Sequence, residues 1–575
     1  MQQQEIIVSL PAHLRPFVAV QDPARYTPRD HAVWRFILRH LVASLRTTAH
    51  PVYLEGLQRT GISLDHVPSI EEMNDCLARL GWRAVVVDGF IPPAIFMEFQ
   101  ALRILVIAVD MRSVEHLFYT PAPDIVHESA GHAPFIVDID YAEFLQRFGE
   151  VGMKAVASRH DEAQYEAVRR LSRLKEDPRT RPEDISEAEA TLQELARSEE
   201  APSEAALLTR LHWWTVEYGL VGELDDYRIF GAGLLSSLGE SRHCLDDSRV
   251  RKLPLTVDAV RYPYDITTEQ PQLFVTRSCR HLSQVLEEFA ASMCFQRGGA
   301  ESLRKAIAAG TVCTARYDSG VQVSGRFVEV CCDAVGNATY LRTDGPTQLA
   351  FRDSELYGHG IEAHAGGFGA PVGRLKDFSR CLSEYSVDEL KAHDIRLDEQ
   401  VSLEFLSGIT VRGCLRHILR QEHRNLVLSF EDCTVTDLDG RTLFLPEWGR
   451  YDMAVGAAID SVWGGTADRE RYQLYRDATP EPSHTPSGDT ALQALYRQVD
   501  ALARGESDVD REDLARELAS WPEEWLLRAE LLRCEDPASA ALRRQARAEL
   551  EALGQRHPAL LEPVTLALEA ADTAG

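Results

Sequence analysis

The period of the apolar pattern changes twice along this 575-residue chain, and that alone excludes a single uniform architecture. As far as about residue 299, apolar positions recur at helical spacing, interrupted by runs of strand length. From 300 to about 463 the texture becomes valine, threonine and glycine in short alternating stretches such as GTVCTARY, GVQVSGRFVEV and RNLVLSFEDCTV, which is a β pattern. After the loop TPEPSHTPSGD, helical spacing returns from 490 to 572. A chain of this length also exceeds what one hydrophobic core supports. The expected architecture is a mainly α-helical region with short strands over 1–299, a β-rich region over 300–480, and an α-helical C-terminal tail over 481–575.

Local signals sharpen this. ARYTPRDHAVWRFILRHLVASL joins a Thr-Pro start to helical apolar spacing, which predicts a capped helix. RAVVVDGFIP, PPAIFMEFQAL and RILVIAV read as strand, helix and strand, the Pro-Pro pair fitting a first helical turn where a missing N–H costs nothing. The charged stretch at about 154–204 reads as solvated helix and linker, a surface insertion. EAALLTRLHWWTVEYGLVG, 204–222, reads as one long helix, broken afterwards by the small residues of FGAGLLSSLGE. Within the β-rich region, SGVQVSG running on to YLRTDGPTQLAF and SGITVRG running on to VTDLDGRTLF share a Ser-Gly start and an Asp-Gly turn, the mark of a duplicated unit.

A formal charge of −28 repels phosphate backbones and anionic bilayers, which excludes nucleic acid and membrane surface as general partners. No apolar run reaches the roughly 18 residues needed to span a bilayer. The start, MQQQEIIVSLPAHLRPF, lacks a basic segment followed by an apolar one, so no secretory signal is read and the expected location is the cytoplasm. Eleven cysteines without CxxC spacing fit free thiols in a reducing compartment.

HESAGH, residues 127–132, is the stretch that carries chemistry. Side chains four apart on an α-helix diverge by about 40°, but five apart by about 140°. His127 and His132 therefore meet one ion only if the helix ends or distorts between them, and Gly131 followed by Ala133-Pro134 offers the place. A third ligand has to come from elsewhere. Glu217, in HWWTVEYGL, is the candidate, because an unpaired carboxylate in so apolar a helix is costly to bury. Taken singly these signals are modest: a histidine pair near a glycine is as often ordinary structure, and a helical glutamate is more often solvated or paired with arginine. Two histidines and a carboxylate suit non-haem Fe(II) with oxygen chemistry. The same set suits zinc with a hydrolytic water, and both stay open on the residues alone.

PDIVHESAGHAPFIVDIDYAEFLQRFG, HWWTVEYGL and FGAGLLSSLGE, in that order, with YTPAPD before them and YDITTEQPQLFV after, resemble the pterin-dependent aromatic amino acid hydroxylases from about Tyr26 to Phe295. The resemblance implies that His127, His132 and Glu217 hold Fe(II), and that a tetrahydropterin, tetrahydrobiopterin or a relative, serves as co-substrate with dioxygen. It places Glu128 beside pterin and metal, Arg112 on the substrate carboxylate, and Thr120, Pro121, Pro123 and Asp124 along the amino acid. Trp213 is implied to pack on the substrate ring, Gly233 and Ser236 to contact substrate, and Ser236 also to support His127. Gly89, Phe90, Ile91 and Phe96 are implied to hold the pterin. Departures from the family pattern are Pro92-Pro93-Ala94 in the pterin loop, His212 where tyrosine is common, and Ser129-Ala130 after the first two motif residues.

Ile266 falls where tyrosine enzymes carry an acid, and Trp213 differs from the phenylalanine usual in tryptophan enzymes, so L-phenylalanine to L-tyrosine is the expected reaction, with tryptophan or tyrosine as the alternative substrates. A zinc hydrolase using Glu128 as base, or a non-catalytic scaffold acting through the C-terminal half, are the rival classes. The resemblance ends near residue 300, which predicts that residues 1–300 turn over alone and leaves the remainder to oligomerisation or a protein partner.

Overall fold

The computed structural model describes residues 2–118, 124–176, 180–197, 200–266, 268–474, 489–506 and 509–574. The predicted cap is present: the Thr27 hydroxyl accepts the N–H of Asp30, and the Asp30 carboxylate accepts the N–H of Thr27. Two of the orphan donors at the start of helix Pro28–Leu45 are thereby satisfied. Its Trp34, Ile37, Leu38 and Leu41 are fully buried. Strands Arg83–Val87 and Ile104–Ala108 pair in parallel, joined by helix Pro93–Ala101. A four-stranded sheet follows in the order Asp226–Ile229, Leu220–Glu223, Gln272–Thr276, Arg251–Pro254.

The long helix expected over 204–222 is shorter. It runs from Glu204 to His212, opens into a wider π-helical turn at Trp213–Glu217, and gives way to strand Leu220–Glu223. Pairing on both edges, with Ile229 on one side and Val275 on the other, holds Leu220 in the sheet against its helical apolar pattern. The charged stretch forms two packed helices, Arg159–Glu176 and Pro182–Ala196. It is more than a surface excursion, because the Tyr165 hydroxyl donates to the Phe90 carbonyl at 3.2 Å.

The β-rich part begins at Val312, after helix Gly299–Ala309. It is a duplication with a constant offset of 88 residues over its opening strands. Ser319-Gly320 recurs as Ser407-Gly408, and strand Val321–Cys332 is matched, its ends one residue further on, by Thr410–Gln421. The register breaks at Ser324/Arg326 and Phe327/Glu329 recur at Arg412/Cys414 and Leu415/His417. At the first break of each unit sits a glycine, Gly325 or Gly413, where an added Cβ would come within 2.8 Å of Thr347 or 3.0 Å of Cys433. Each unit has its own core, one around Tyr317 and Phe327, the other around Leu415 and Phe430. Arg469 ties this part to the first region, donating to Glu98 at 2.6 Å and to the Met153 carbonyl at 2.7 Å.

The helical tail, from Thr490–Ala503 to Leu561–Ala574, packs on helix Pro28–Leu45 and shares its core. Phe36 meets Trp525 edge-on at 5.2 Å. The buried Arg35 guanidinium donates to Glu530 at 2.6 and 2.9 Å. The pair links the first region to the tail, and Arg35 Nη1 also donates to the Asp65 carbonyl at 3.0 Å. No described helix is long and apolar enough to cross a membrane, and all eleven cysteines are free.

Candidate active site

The distortion that HESAGH demands is a widening rather than an end. Val126–His132 is a π-helical turn, in which i→i+5 hydrogen bonding brings side chains five apart onto one face, and a 3₁₀ turn, Ala133–Val137, follows at Pro134. His127 Nε2 and His132 Nε2 lie 3.2 Å apart. Glu217 closes the second π turn and completes the triangle, with carboxylate oxygens 3.2 Å from His127 Nε2 and 3.4 Å from His132 Nε2. Both ligand-bearing segments have left regular α geometry, a frequent mark of function. Gly131 serves by close approach: a Cβ there would stand 2.8 Å from the Ala232 carbonyl oxygen and 3.0 Å from the Ala232 Cβ.

The three donors form a set able to hold a metal ion. Burial pushes the Glu217 carboxyl up, but His132 and His127 outweigh it and hold it far below the usual carboxylate range. Burial would lower His127 as well, yet the hydrogen bond and charge of Glu217 carry it up to about 9. His132 is pushed down to about 3, first by burial. Thus His127 Nε2 and the Glu217 carboxylate share one proton, and a cation can replace it. Glu128 is raised to about 8, by burial before the nearby acids, and its Oε2 lies 3.9 Å from His132 Nε2. The Ser236 hydroxyl donates to the Ala232 carbonyl at 2.7 Å, so its oxygen accepts from His127 Nδ1 at 3.0 Å. That bond places the His127 proton on Nδ1 and turns the Nε2 lone pair to the metal.

Arg112 is buried beside this centre. Its Nε and Nη2 grip the two Asp124 carboxylate oxygens at 2.7 Å each, and Nη1 donates to the Ser236 carbonyl at 3.1 Å. A guanidinium has five N–H groups, so donors remain on Nη1 and Nη2 for a further anion. Burial raises the Asp124 carboxyl, but Arg112 and the backbone N–H of His127 hold it below its ordinary value. Asp124 thus reaches both Arg112 and, at 3.0 Å, the His127 backbone. The sequence placed Asp124 in the substrate loop; its fork with Arg112 was not foreseen.

Phe96 packs edge-on to His212 at 6.1 Å, and His212 Nδ1 lies 3.5 Å from Glu217, so the expected pterin aromatic is one ring from the metal set. His212 therefore belongs to the site, although the sequence marked it only as a departure. Gly89, with φ of 67° and open space beside it, precedes Phe90 and Ile91 at the same end of strand Arg83–Val87. Trp213 already stacks on two rings, Tyr264 at 4.3 Å and Tyr218 at 4.7 Å. Tyr264 had no signal of its own beyond its place two residues before Ile266. Gly233 fits under Tyr218, where a Cβ would come within 2.9 Å of the ring. Ile266 is 37% exposed, at the rim rather than in the interior. Thr120, Pro121 and Pro123 lie outside the described residues.

Residues 19–172 and 186–297 match the family described as biopterin-dependent aromatic amino acid hydroxylase, so that only 173–185 of the charged stretch falls outside the match. The phenylalanine-4-hydroxylase of Ralstonia nicotianae is 31% identical over 272 residues, 47% of this chain and 73% of that protein. The Pseudomonas aeruginosa phenylalanine-4-hydroxylase is 28% identical over 264 residues, 46% of this chain and 84% of its own length. A crystal structure of Chromobacterium violaceum phenylalanine hydroxylase with bound oxidised Fe(III) is 27% identical, covers 50% of this chain and 92% of that one, and superposes with a TM-score of 0.39. From the sequence likeness, over a segment that contains every ligand and anchor described above, the chain belongs to the biopterin-dependent aromatic amino acid hydroxylases, enzymes with iron and biopterin as cofactors.

Proposed function

We propose that this protein hydroxylates the ring of free L-phenylalanine to give L-tyrosine, with Fe(II) held by His127, His132 and Glu217, and tetrahydropterin and dioxygen as co-substrates. One observation carries the reading. Arg112 and His127 are held by the same two residues, Asp124 and Ser236, so an anchor for a carboxylate and a metal ligand are locked in one register. An amino acid gripped at its carboxylate therefore presents its side chain at a set distance from the metal, the positioning that converts a bimolecular encounter into a unimolecular one.

Iron bound by two imidazoles and a carboxylate keeps open positions, and with reduced pterin it supplies the reactive oxygen. The chain's own residues do the rest. Arg112 offers the N–H groups left on Nη1 and Nη2 to the substrate carboxylate, a charge-assisted contact that its fork with Asp124 keeps aimed. Ser236 fixes the His127 tautomer. Phe96 presents an aromatic surface to the pterin ring near the Gly89–Ile91 turn. Glu128 stands beside the ligands as the acid that meets the pterin. Trp213, braced by Tyr218 and Tyr264, forms an aromatic wall of the substrate pocket, with Gly233 beneath Tyr218 and Ile266 at the rim. An apolar edge offers a phenol hydroxyl no side-chain partner, so tyrosine gains nothing there over phenylalanine. The sequence relatives named above carry the same activity in their names. Eleven free thiols fit a reducing compartment, and we place the enzyme in the cytoplasm.

Purified protein supplied with Fe(II), tetrahydrobiopterin and oxygen is expected to form tyrosine from phenylalanine, with a higher kcat/KM than for tryptophan. His132→Ala is expected to reduce this to background. Failure to turn over any of the three aromatic amino acids would overturn the reading.

A further inference from the structure

A second pair of histidines five residues apart lies in HGIEAH, 359–364, far from the first. His359, His364 and Asp452 are all buried, at 3%, 8% and 6% exposure, and form the other set among the described residues whose donor atoms converge. We propose that these three side chains hold a second divalent transition metal ion, zinc in the first instance, which pins the two β units together.

The backbone delivers the histidines without any helix. The carbonyl of His359 accepts the N–H of Leu349, and that of His364 accepts the N–H of Thr347. Leu349 and Thr347 are two apart on strand Ala338–Phe351, so the histidines sit side by side along one strand edge. Their rings lie 5.5 Å apart and within 14° of parallel, with His359 Nδ1 3.2 Å from His364 Nε2. A contact that short between two imidazoles requires at least one unprotonated nitrogen, the form that binds metal.

Asp452 comes from the other unit. Strand Tyr451–Ala454 pairs with Arg424–Thr436 and sets Asp452 opposite Ser429. Its Oδ2 lies 3.8 Å from His359 Nδ1 and 4.0 Å from His364 Nε2. A point in the plane of the three donor atoms and equidistant from them lies about 2.1 Å from each, a zinc–nitrogen or zinc–oxygen bond length. The carboxylate is already oriented by outer contacts: Ser429 Oγ donates to Oδ1 at 2.5 Å, and the largely exposed Arg450 donates to Oδ2 at 2.9 and 3.1 Å. Hydrogen-bonded carboxylate ligands of this kind are the rule in metal sites. Imidazole and carboxylate are donors zinc accepts, and zinc imposes no geometry of its own through its d electrons. The ion would join His364 to Asp452 and so fix how the duplicated units face each other.

The test uses the full chain carrying His127→Ala and His132→Ala, so that the first set cannot report. After equilibration with zinc(II) and desalting, it is expected to retain about one zinc per chain by mass spectrometry of metal content. Adding Asp452→Asn, which keeps side-chain shape and the Ser429 contact, is expected to remove that zinc while the circular dichroism stays unchanged. Cobalt(II) in place of zinc is expected to give visible absorption bands of a four- or five-coordinate ion, lost with His364→Gln. Absence of retained zinc in the first variant, or zinc that survives both Asp452→Asn and His364→Gln, would overturn the proposal. Neither outcome touches the reading of the first centre, which that variant no longer contains.

Discussion

Two regions of the molecule place histidines five residues apart beside a carboxylate from elsewhere, and they reach that arrangement by unlike means. At His127 and His132 the spacing works because the helix widens into a π turn, and Glu217 arrives on a second such turn. At His359 and His364 there is no helix to widen. Two carbonyls hung on alternate residues of a strand edge do the work, and Asp452 arrives by sheet register from the second unit. Identical spacing in sequence therefore says little about convergence in space. What decides it is where the backbone hydrogen bonds of each segment go.

A glycine substitution in each region separates the two designs most sharply. Gly131→Ala puts a methyl group against backbone, 2.8 Å from the Ala232 carbonyl oxygen, inside the π turn itself. Overpacking of that kind costs about 1–3 kcal/mol, and here the displaced residue adjoins ligand His132. Hydroxylation is expected to fall by up to about 100-fold in steady-state assays, by the tenfold-per-1.4 kcal/mol scale at the upper end of that cost. Gly360→Ala, between the second pair, meets only the carboxylate end of the Glu355 side chain, also at 2.8 Å. A flexible side chain can move, so hydroxylation is expected to stay within about twofold of wild type. Equal losses from the two substitutions would erase the distinction between them.

The same contrast explains what the sequence revealed. Thr27-Pro28 announced a helix start, and the paired Ser-Gly motifs announced the duplication, because capping and turn chemistry are local. The ligands of the first centre were legible as residues, while the means that joins them was not. Nothing in WWTVE distinguishes a π turn from the α-helix its apolar spacing suggests, and the strand at Leu220 depends on partners at Ile229 and Val275. The Arg112–Asp124 fork joins residues twelve apart in sequence, with no apolar period to betray it. His359, His364 and Asp452 were invisible as a group, since Asp452 is brought in by pairing 88 residues after His364.

Ser236 gives a smaller test, directed at support of a ligand rather than at the ligand itself. Its hydroxyl holds His127 Nδ1, and loss of such an outer contact typically weakens metal affinity or activity by about 10–100-fold. Ser236→Ala is expected to raise the Fe(II) concentration needed for half-maximal activity within that range, with little change in fold by circular dichroism. The parallel change at the second set, Ser429→Ala beside Asp452, is expected to leave hydroxylation unaltered. If it lowers turnover as much as Ser236→Ala, the two sets are coupled.

The smallest effect concerns stability near the first centre alone. Glu240 accepts a hydrogen bond from Tyr218, the ring that braces Trp213, and its carboxyl is raised from 4.5 to about 7, chiefly by burial. In the folded chain it keeps its proton up to about pH 7, whereas the unfolded chain releases it above about pH 4.5. A group that binds its proton more tightly when folded contributes its full stability below the unfolded value and loses it as pH rises through the folded one. Its contribution therefore declines between about pH 4.5 and 7 and is gone above that window. Glu240→Gln resembles the protonated acid at every pH. Its Tm is expected to match wild type near pH 4.5 and to exceed it by at most a few degrees at pH 8, read by calorimetry on the transition that includes the N-terminal core. An advantage of the same size at both pH values would show that packing, and not the buried charge, sets the difference; a lower Tm at pH 8 would show that the ionised form is the one the Tyr218 contact stabilises.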